Sequence, residues 1–110
     1  MPKIRHIVLF KARTDLPPGE LDGVFAQLAA LKAVIPGMLD CHASANVSPE
    51  GIGRGFTHAF TMDFADPAAR DAYLPHPDHK AAGMRLRGAT EGGREGILVV
   101  DIECSEPAIA

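Results

Sequence analysis

Between Phe56 and Phe64 the side chains alternate without a break. Phe56, His58, Phe60, Met62 and Phe64 take one set of positions; Thr57, Ala59, Thr61 and Asp63 take the other. A period of two places the first set on one face of a strand and the second on the opposite face. The run commits the chain to a β-sheet with an aromatic, apolar face. Lys3 to Lys11 reads as a second strand of that sheet, with Ile4, His6, Val8 and Phe10 on one face and Ile7 and Leu9 on the other. Apolar residues on both faces suggest a strand buried on both sides.

The segments between supply the helices. After Pro17-Pro18-Gly19, the residues Leu21, Val24, Phe25, Leu28, Leu31 and Ile35 fall at helical spacing and form one apolar stripe, which Pro36-Gly37 ends. Met38 to Val47 reads as a weaker strand, and Ser48 to Gly55 as a glycine-rich loop. Asp66 is a good N-cap and Pro67 suits a first helical position, so a helix opens there and stops at Pro75, after Tyr73. His76-Pro77 restarts the chain into a short helix through about Arg87, and a polar turn over Gly88 to Gly96 leads to a last strand, Ile97 to Ile102. The order β-α-β-β-α-β is the split βαβ arrangement of ferredoxin-like α+β folds, a four-stranded antiparallel sheet with helices on one face. Residues 3–103 are expected to form one domain, with 104–110 a frayed tail. The face carrying Ile7 and Leu9 is left uncovered, and a contiguous apolar patch of that kind marks an interaction surface. Two-fold pairing of two such sheets, giving a homodimeric α/β barrel, is its simplest cover.

Bulk properties narrow the partners. A length of 110 residues suits one domain with a single modest core. A net charge of −3 without a Lys/Arg run argues against nucleic acid. The N-terminal segment has an apolar run of only four residues, far short of the roughly 20 that a membrane span needs, so no membrane partner is expected and a cytoplasmic location follows by default. Cys41 and Cys104, with no C-x-x-C, read as two reduced thiols. The Gly51-Ile-Gly-Arg-Gly55 run lacks the Lys-Ser/Thr ending of a phosphate loop, and no helix follows it.

The stretch from Tyr73 to Lys80 holds the only tyrosine and two of the five histidines within eight residues. Histidine is the side chain that titrates near neutrality, at about pH 6.5 when unperturbed. If the first and third strands are neighbours, His6 and His58 both point toward the helix-covered side, where Tyr73 and His79 also lie. Four polar groups in an apolar cleft are the make-up of a small-molecule site, with Phe10, Phe25, Phe60, His58 and His76 as ligand-binding candidates. In a catalytic reading, His79 acts as general base, Tyr73 donates a hydrogen bond to a carbonyl oxygen that gains charge, and His6 orients His79 or the substrate. In a structural reading these are satisfied core groups, and His76 caps the short helix. His76-x-x-His79 can place two imidazoles on one helical turn, but a closed zinc site needs about four ligands, so neither a metal nor a cofactor is expected.

The segments Ile4-Arg-His-Ile-Val-Leu-Phe-Lys11, Ile35-Pro-Gly37, Gly55-Phe-Thr-His-Ala-Phe-Thr-Met62 and Tyr73-Leu-Pro-His-Pro-Asp-His79 resemble, in order and spacing, the stress-responsive dimeric A/B barrel (Dabb) family. The resemblance implies a ferredoxin-like monomer whose sheets pair across a two-fold axis. It also implies kinship with plant stress-associated proteins and with a cofactor-free polyketide cyclase, whose pocket histidines and tyrosine match His6, Tyr73 and His79. Phe56 stands where the family pattern has tyrosine, and Ala26, Ala29 and Ala30 replace the bulkier groups of the cyclase's first helix. The leading expectation is a small homodimer with a His/Tyr-lined pocket for an apolar or oxo-bearing small molecule. A polyketide-cyclase-like lyase or isomerase with His79 as base is the alternative, and a cofactor-independent monooxygenase a second one.

Overall fold

The computed structural model describes residues 2–104. Apart from Cys104, the expected tail lies outside the described residues. The elements follow the order read from the sequence: β1 (Lys3–Phe10), α1 (Glu20–Ala30), β2 (Met38–Ala45), β3 (His58–Phe64), α2 (Pro67–Tyr73), α3 (Pro77–Gly88) and β4 (Ile97–Cys104). The four strands lie in the order β2-β3-β1-β4, and every pairing is antiparallel. The ferredoxin-like α+β architecture is therefore the one observed.

Alternation decides the two faces. Ile4, His6, Val8 and Phe10 of β1 are all buried, as are Phe60, Met62 and Phe64 of β3. Against them pack Val24 and Leu28 of α1, Tyr73 of α2, and Ala82 and Leu86 of α3. The stripe of the first helix bends at its end. After Ala30 the chain tightens into a 3-10 turn over Leu31–Ala33, yet Leu31 and Ile35 both stay in the core. Gly37 then turns the chain with φ of +84°, and a Cβ there would lie 2.6 Å from the Cβ of Ala69. Only glycine meets both conditions.

Local chemistry sets the helix starts. Asp66 Oδ1 accepts a hydrogen bond from the Ala69 amide at 2.8 Å, the capping its position suggests. Pro75 breaks the second helical stretch into α2 and α3, and His76 Nδ1 accepts from the Asp78 amide at 3.1 Å to cap α3. The Arg85 guanidinium clamps α3 onto α1 by donating to both carboxylate oxygens of Glu20, at 2.9 and 3.0 Å. It crosses α1 at Gly23, where any Cβ would collide with it. Four strand ends differ from expectation: β1 stops at Phe10, short of Lys11, and β2 at Ala45, short of Val47, and two more ends move at β3 and β4. β3 begins at His58 because Phe56 and Thr57 close the preceding loop, and β4 runs on to Cys104 because Lys3 remains opposite it.

The second face of the sheet carries Arg5, Ile7, Leu9, Ala59, Thr61, Asp63, Leu98, Val100 and Ile102 by register. Leu98, Val100 and Ile102 are each 44% exposed, an apolar surface open to water. At one end Arg5 binds Asp63 through two hydrogen bonds of 2.8 and 3.1 Å, with Lys3 Nζ at 3.5 Å. These hydrogen bonds from Arg5 hold the Asp63 carboxyl below the usual carboxylate range. Among the described residues no helix is long and apolar enough to cross a membrane.

Candidate functional site

β1 turns His6 into the core, where the ring is 6% exposed. A buried imidazole needs a partner, and register supplies one: Asp101 of β4 lies directly opposite, with Oδ1 2.7 Å from His6 Nδ1. The other carboxylate oxygen accepts from Arg70 Nη1 of α2 at 2.9 Å. Burial works against ionisation of Asp101, but the hydrogen bonds from His6 and Arg70 outweigh it and hold the carboxyl below its ordinary value. An ionised carboxylate only accepts, so Nδ1 of His6 carries a proton and Nε2 is the ring nitrogen left for another partner.

Tyr73, the last residue of α2, is 1% exposed. Its ring meets His6 edge-on at a centroid distance of 5.8 Å, Phe64 at 5.0 Å and His79 at 4.1 Å. Burial raises the Tyr73 hydroxyl well above the usual phenol range, with Cys41 and Asp101 adding to the effect, so it remains a protonated donor. His79, on the first turn of α3, places Nδ1 2.9 Å from the Leu74 carbonyl oxygen. A carbonyl only accepts, so Nδ1 donates and Nε2 keeps its lone pair. Burial lowers the His79 pKa, more than its bond to Leu74 raises it, and the ring is neutral at pH 7. A neutral imidazole acceptor, a protonated phenol and a carboxylate-held imidazole thus meet at the junction of β1, α2, α3 and β4. Such a set can accept a proton at one point and stabilise negative charge at another.

The other sequence candidates lie elsewhere. His58 stacks on Phe10 at 5.6 Å and contacts Phe25 at 6.1 Å, with its Nδ1 2.8 Å from Thr57 Oγ1. Among the described residues no ring contact joins this group to the Tyr73 group. The reason is register: His58 lies opposite Phe10, whereas His6 lies opposite Met62, four residues or about 13 Å along β3. Phe60 is sealed in the core, and His76 is engaged in capping α3. Asp101 and Arg70 were not singled out from the sequence. The signal for Asp101 was present, since it is the one acid inside the apolar run Ile97-Leu-Val-Val-Asp-Ile102. No such mark distinguishes Arg70. Among the described residues no three His, Cys, Asp or Glu side chains gather as metal ligands.

With this geometry in place, comparison with known proteins identifies the family. The profile of the Stress responsive A/B Barrel Domain family matches residues 4–104. The chain belongs to that family. It is 26% identical over 98 residues to the stress-response A/B barrel domain-containing protein HS1 of Arabidopsis thaliana, covering 89% of this chain and 86% of that protein. It is 23% identical over 88 residues to olivetolic acid cyclase of Cannabis sativa, covering 80% of this chain and 87% of the cyclase. Among solved structures it resembles a dimeric ferredoxin-like protein of unknown function from Jannaschia sp. CCS1, at 31% identity and a TM-score of 0.77 over 92% of this chain and 98% of the other. The A/B barrel relatives thus include both a stress-response protein and an enzyme.

Proposed function

We propose that this A/B barrel protein binds an oxo-bearing, otherwise apolar small molecule at His6, Tyr73 and His79, and moves a proton on it without a cofactor. The observation that carries the reading is His79: burial keeps it neutral, and its bond to Leu74 leaves Nε2 free to accept a proton, 4.1 Å between ring centroids from a tyrosine that stays protonated. In this reading His79 Nε2 removes a proton from the carbon beside a carbonyl. The C–H electron pair forms a C=C bond, and the carbonyl pair moves onto oxygen, which accepts a hydrogen bond from the Tyr73 hydroxyl. The enolate carbon then recovers a proton or attacks a second carbonyl, whose oxygen takes the proton back from His79. His6, fixed by Asp101, orients the substrate oxygen. The likeness to a relative named as a cyclase supports this reaction class.

A second copy of the chain is the proposed cover for Ile7, Val100 and Ile102 on the open face, supported by the dimeric relative. The cytoplasm is the proposed compartment, where the free thiols Cys41 and Cys104 stay reduced. One observation favours a non-catalytic reading. At 1% exposure the Tyr73 side chain is closed off from solvent, and in this reading the cluster holds the helices on the sheet.

Exchange in D2O separates the two. Proton NMR of a panel of methyl ketones and 1,3-diketones is expected to show faster loss of α-protons with the protein than with buffer. His79→Ala should remove the acceleration and Tyr73→Phe should reduce it, with both variants folded by circular dichroism. If no panel member exchanges faster than with His79→Ala, the binding or structural reading takes its place.

A further inference from the structure

Arg70 and Tyr73 stand three residues apart on α2, so they share one side of that short helix. Both meet the same pair of groups on the sheet. Tyr73 packs against the His6 ring at a centroid distance of 5.8 Å, and Arg70 Nη1 donates to Asp101 Oδ2 at 2.9 Å. His6 Nδ1 donates to the other oxygen of Asp101 at 2.7 Å. The contacts form a closed circuit: Arg70 to Asp101, Asp101 to His6, His6 to Tyr73, and back along α2 to Arg70. Among the described residues, the Arg70–Asp101 bond is the one side-chain hydrogen bond between α2 and the sheet.

A carboxylate bonded at one oxygen only can rotate and present either oxygen, or neither, to its partner. Arg70 removes that freedom by occupying Oδ2. Its own side chain is steadied by Asp71, whose Oδ1 accepts from Arg70 Nε at 2.8 Å. A planar guanidinium serves two carboxylates in fixed directions, which the compact ammonium of lysine does less well. The His6 tautomer depends on this arrangement. With Oδ1 held opposite Nδ1, the proton stays on Nδ1 and Nε2 keeps its lone pair. Without that hold, the two neutral tautomers compete.

We propose that Arg70 is a positioning residue for the proton-transfer site. By claiming one oxygen of Asp101 it fixes the other on His6 Nδ1, keeps His6 in a single tautomer and sets Tyr73 against the ring. The role rests on the proton-transfer reading, whereas the tautomer can be measured without it.

Long-range 1H–15N NMR of the full chain carrying 15N-histidine reads the tautomer, above about pH 8 where unperturbed imidazoles are neutral. Wild-type His6 should show a protonated Nδ1 and a bare Nε2. Arg70→Met keeps an unbranched stem and removes the guanidinium, and should give a mixture of tautomers; Arg70→Lys should restore the Nδ1 form in part. In Asp101→Asn, Arg70 should claim the amide oxygen and turn the amide nitrogen toward Nδ1, which moves the proton to Nε2. Adding Arg70→Met to that variant should undo the switch. In the D2O exchange assay Arg70→Met should lower kcat about ten-fold or more with KM little changed. A single tautomer in Arg70→Met, or a proton that stays on Nδ1 in Asp101→Asn, would overturn the proposal. So would lost stability without a tautomer change, or an unchanged kcat in a variant with mixed tautomers. If the wild-type protein exchanges no ketone, the proton-transfer reading fails, and the tautomer still decides whether Arg70 positions His6.

Discussion

Arg5 and His6 are adjacent in β1 and point to opposite faces of the sheet, each toward an aspartate on a neighbouring strand. On the open face, Arg5 grips Asp63 with two parallel hydrogen bonds, and its charge does not titrate in any ordinary pH range. On the covered face, His6 meets Asp101 through one hydrogen bond, and Asp101 divides itself between His6 and Arg70. The first pair is a fixed tie between strands. The second joins an imidazole to a carboxylate, beside a buried phenol. Neighbouring residues with similar partners thus differ in what they can do, because one pair is closed on itself and the other adjoins the Tyr73 ring.

The contrast can be broken from the covered side first. Tyr73→Ala removes the largest fully buried side chain and should cost about 3–5 kcal/mol in urea unfolding, whereas Tyr73→Phe should cost under about 1.5 kcal/mol. A small loss in Tyr73→Ala would mean that the cluster is not tightly packed. Asp101→Ala leaves a buried imidazole without its acceptor and should cost about 1–3 kcal/mol, and more than Arg5→Gln, after which the Gln amide and Lys3 can still serve the Asp63 carboxylate. Equal losses would erase the distinction between the pairs.

Acid should separate them further. The His79 pKa is lowered in the folded chain, so the unfolded chain binds more protons just below its own histidine value of about 6.5. Stability from this group is fully present above that pH and is lost as pH falls through the folded value. Asp63 and Asp101 are lowered as well, so their contributions persist to more acid conditions and disappear below the unfolded value of about 3.9. Urea midpoints measured across pH should fall in two stages, and His79→Gln should remove the upper one only. The smallest effect on folding is expected on the open face. Val100→Asp should change stability by about 1 kcal/mol or less, while light scattering reports an 11.7 kDa species in place of the proposed dimer. A variant that stays dimeric would remove the open face from the proposed interface.

Much of the fold was legible because its rules are local. The alternation in β1 and β3, the N-cap at Asp66 and the break at Pro75 each depend on residues within a few positions of one another. The misjudged details were those set by partners: where β4 stops depends on Lys3, and the shape of the first helix's end depends on its seat in the core. The site followed the same division. His6, Tyr73 and His79 were each recognisable as proton-active groups on the covered side. Sharing that side did not bring His58 to them, since distance along a strand is decided by register.

From the sequence alone came the identity of the faces, because strand and helix periods assign every side chain a direction whatever the rest of the chain does. The same periods exposed an apolar face without a cover. Only the tertiary structure decided which groups meet. His6 finds Asp101 across 95 positions of sequence, and α2 brings Arg70 to the same carboxylate. Those contacts depend on strand order, register and the seating of α2 on the sheet. Such properties arise from the packing of the whole core and are written in no single segment of the chain.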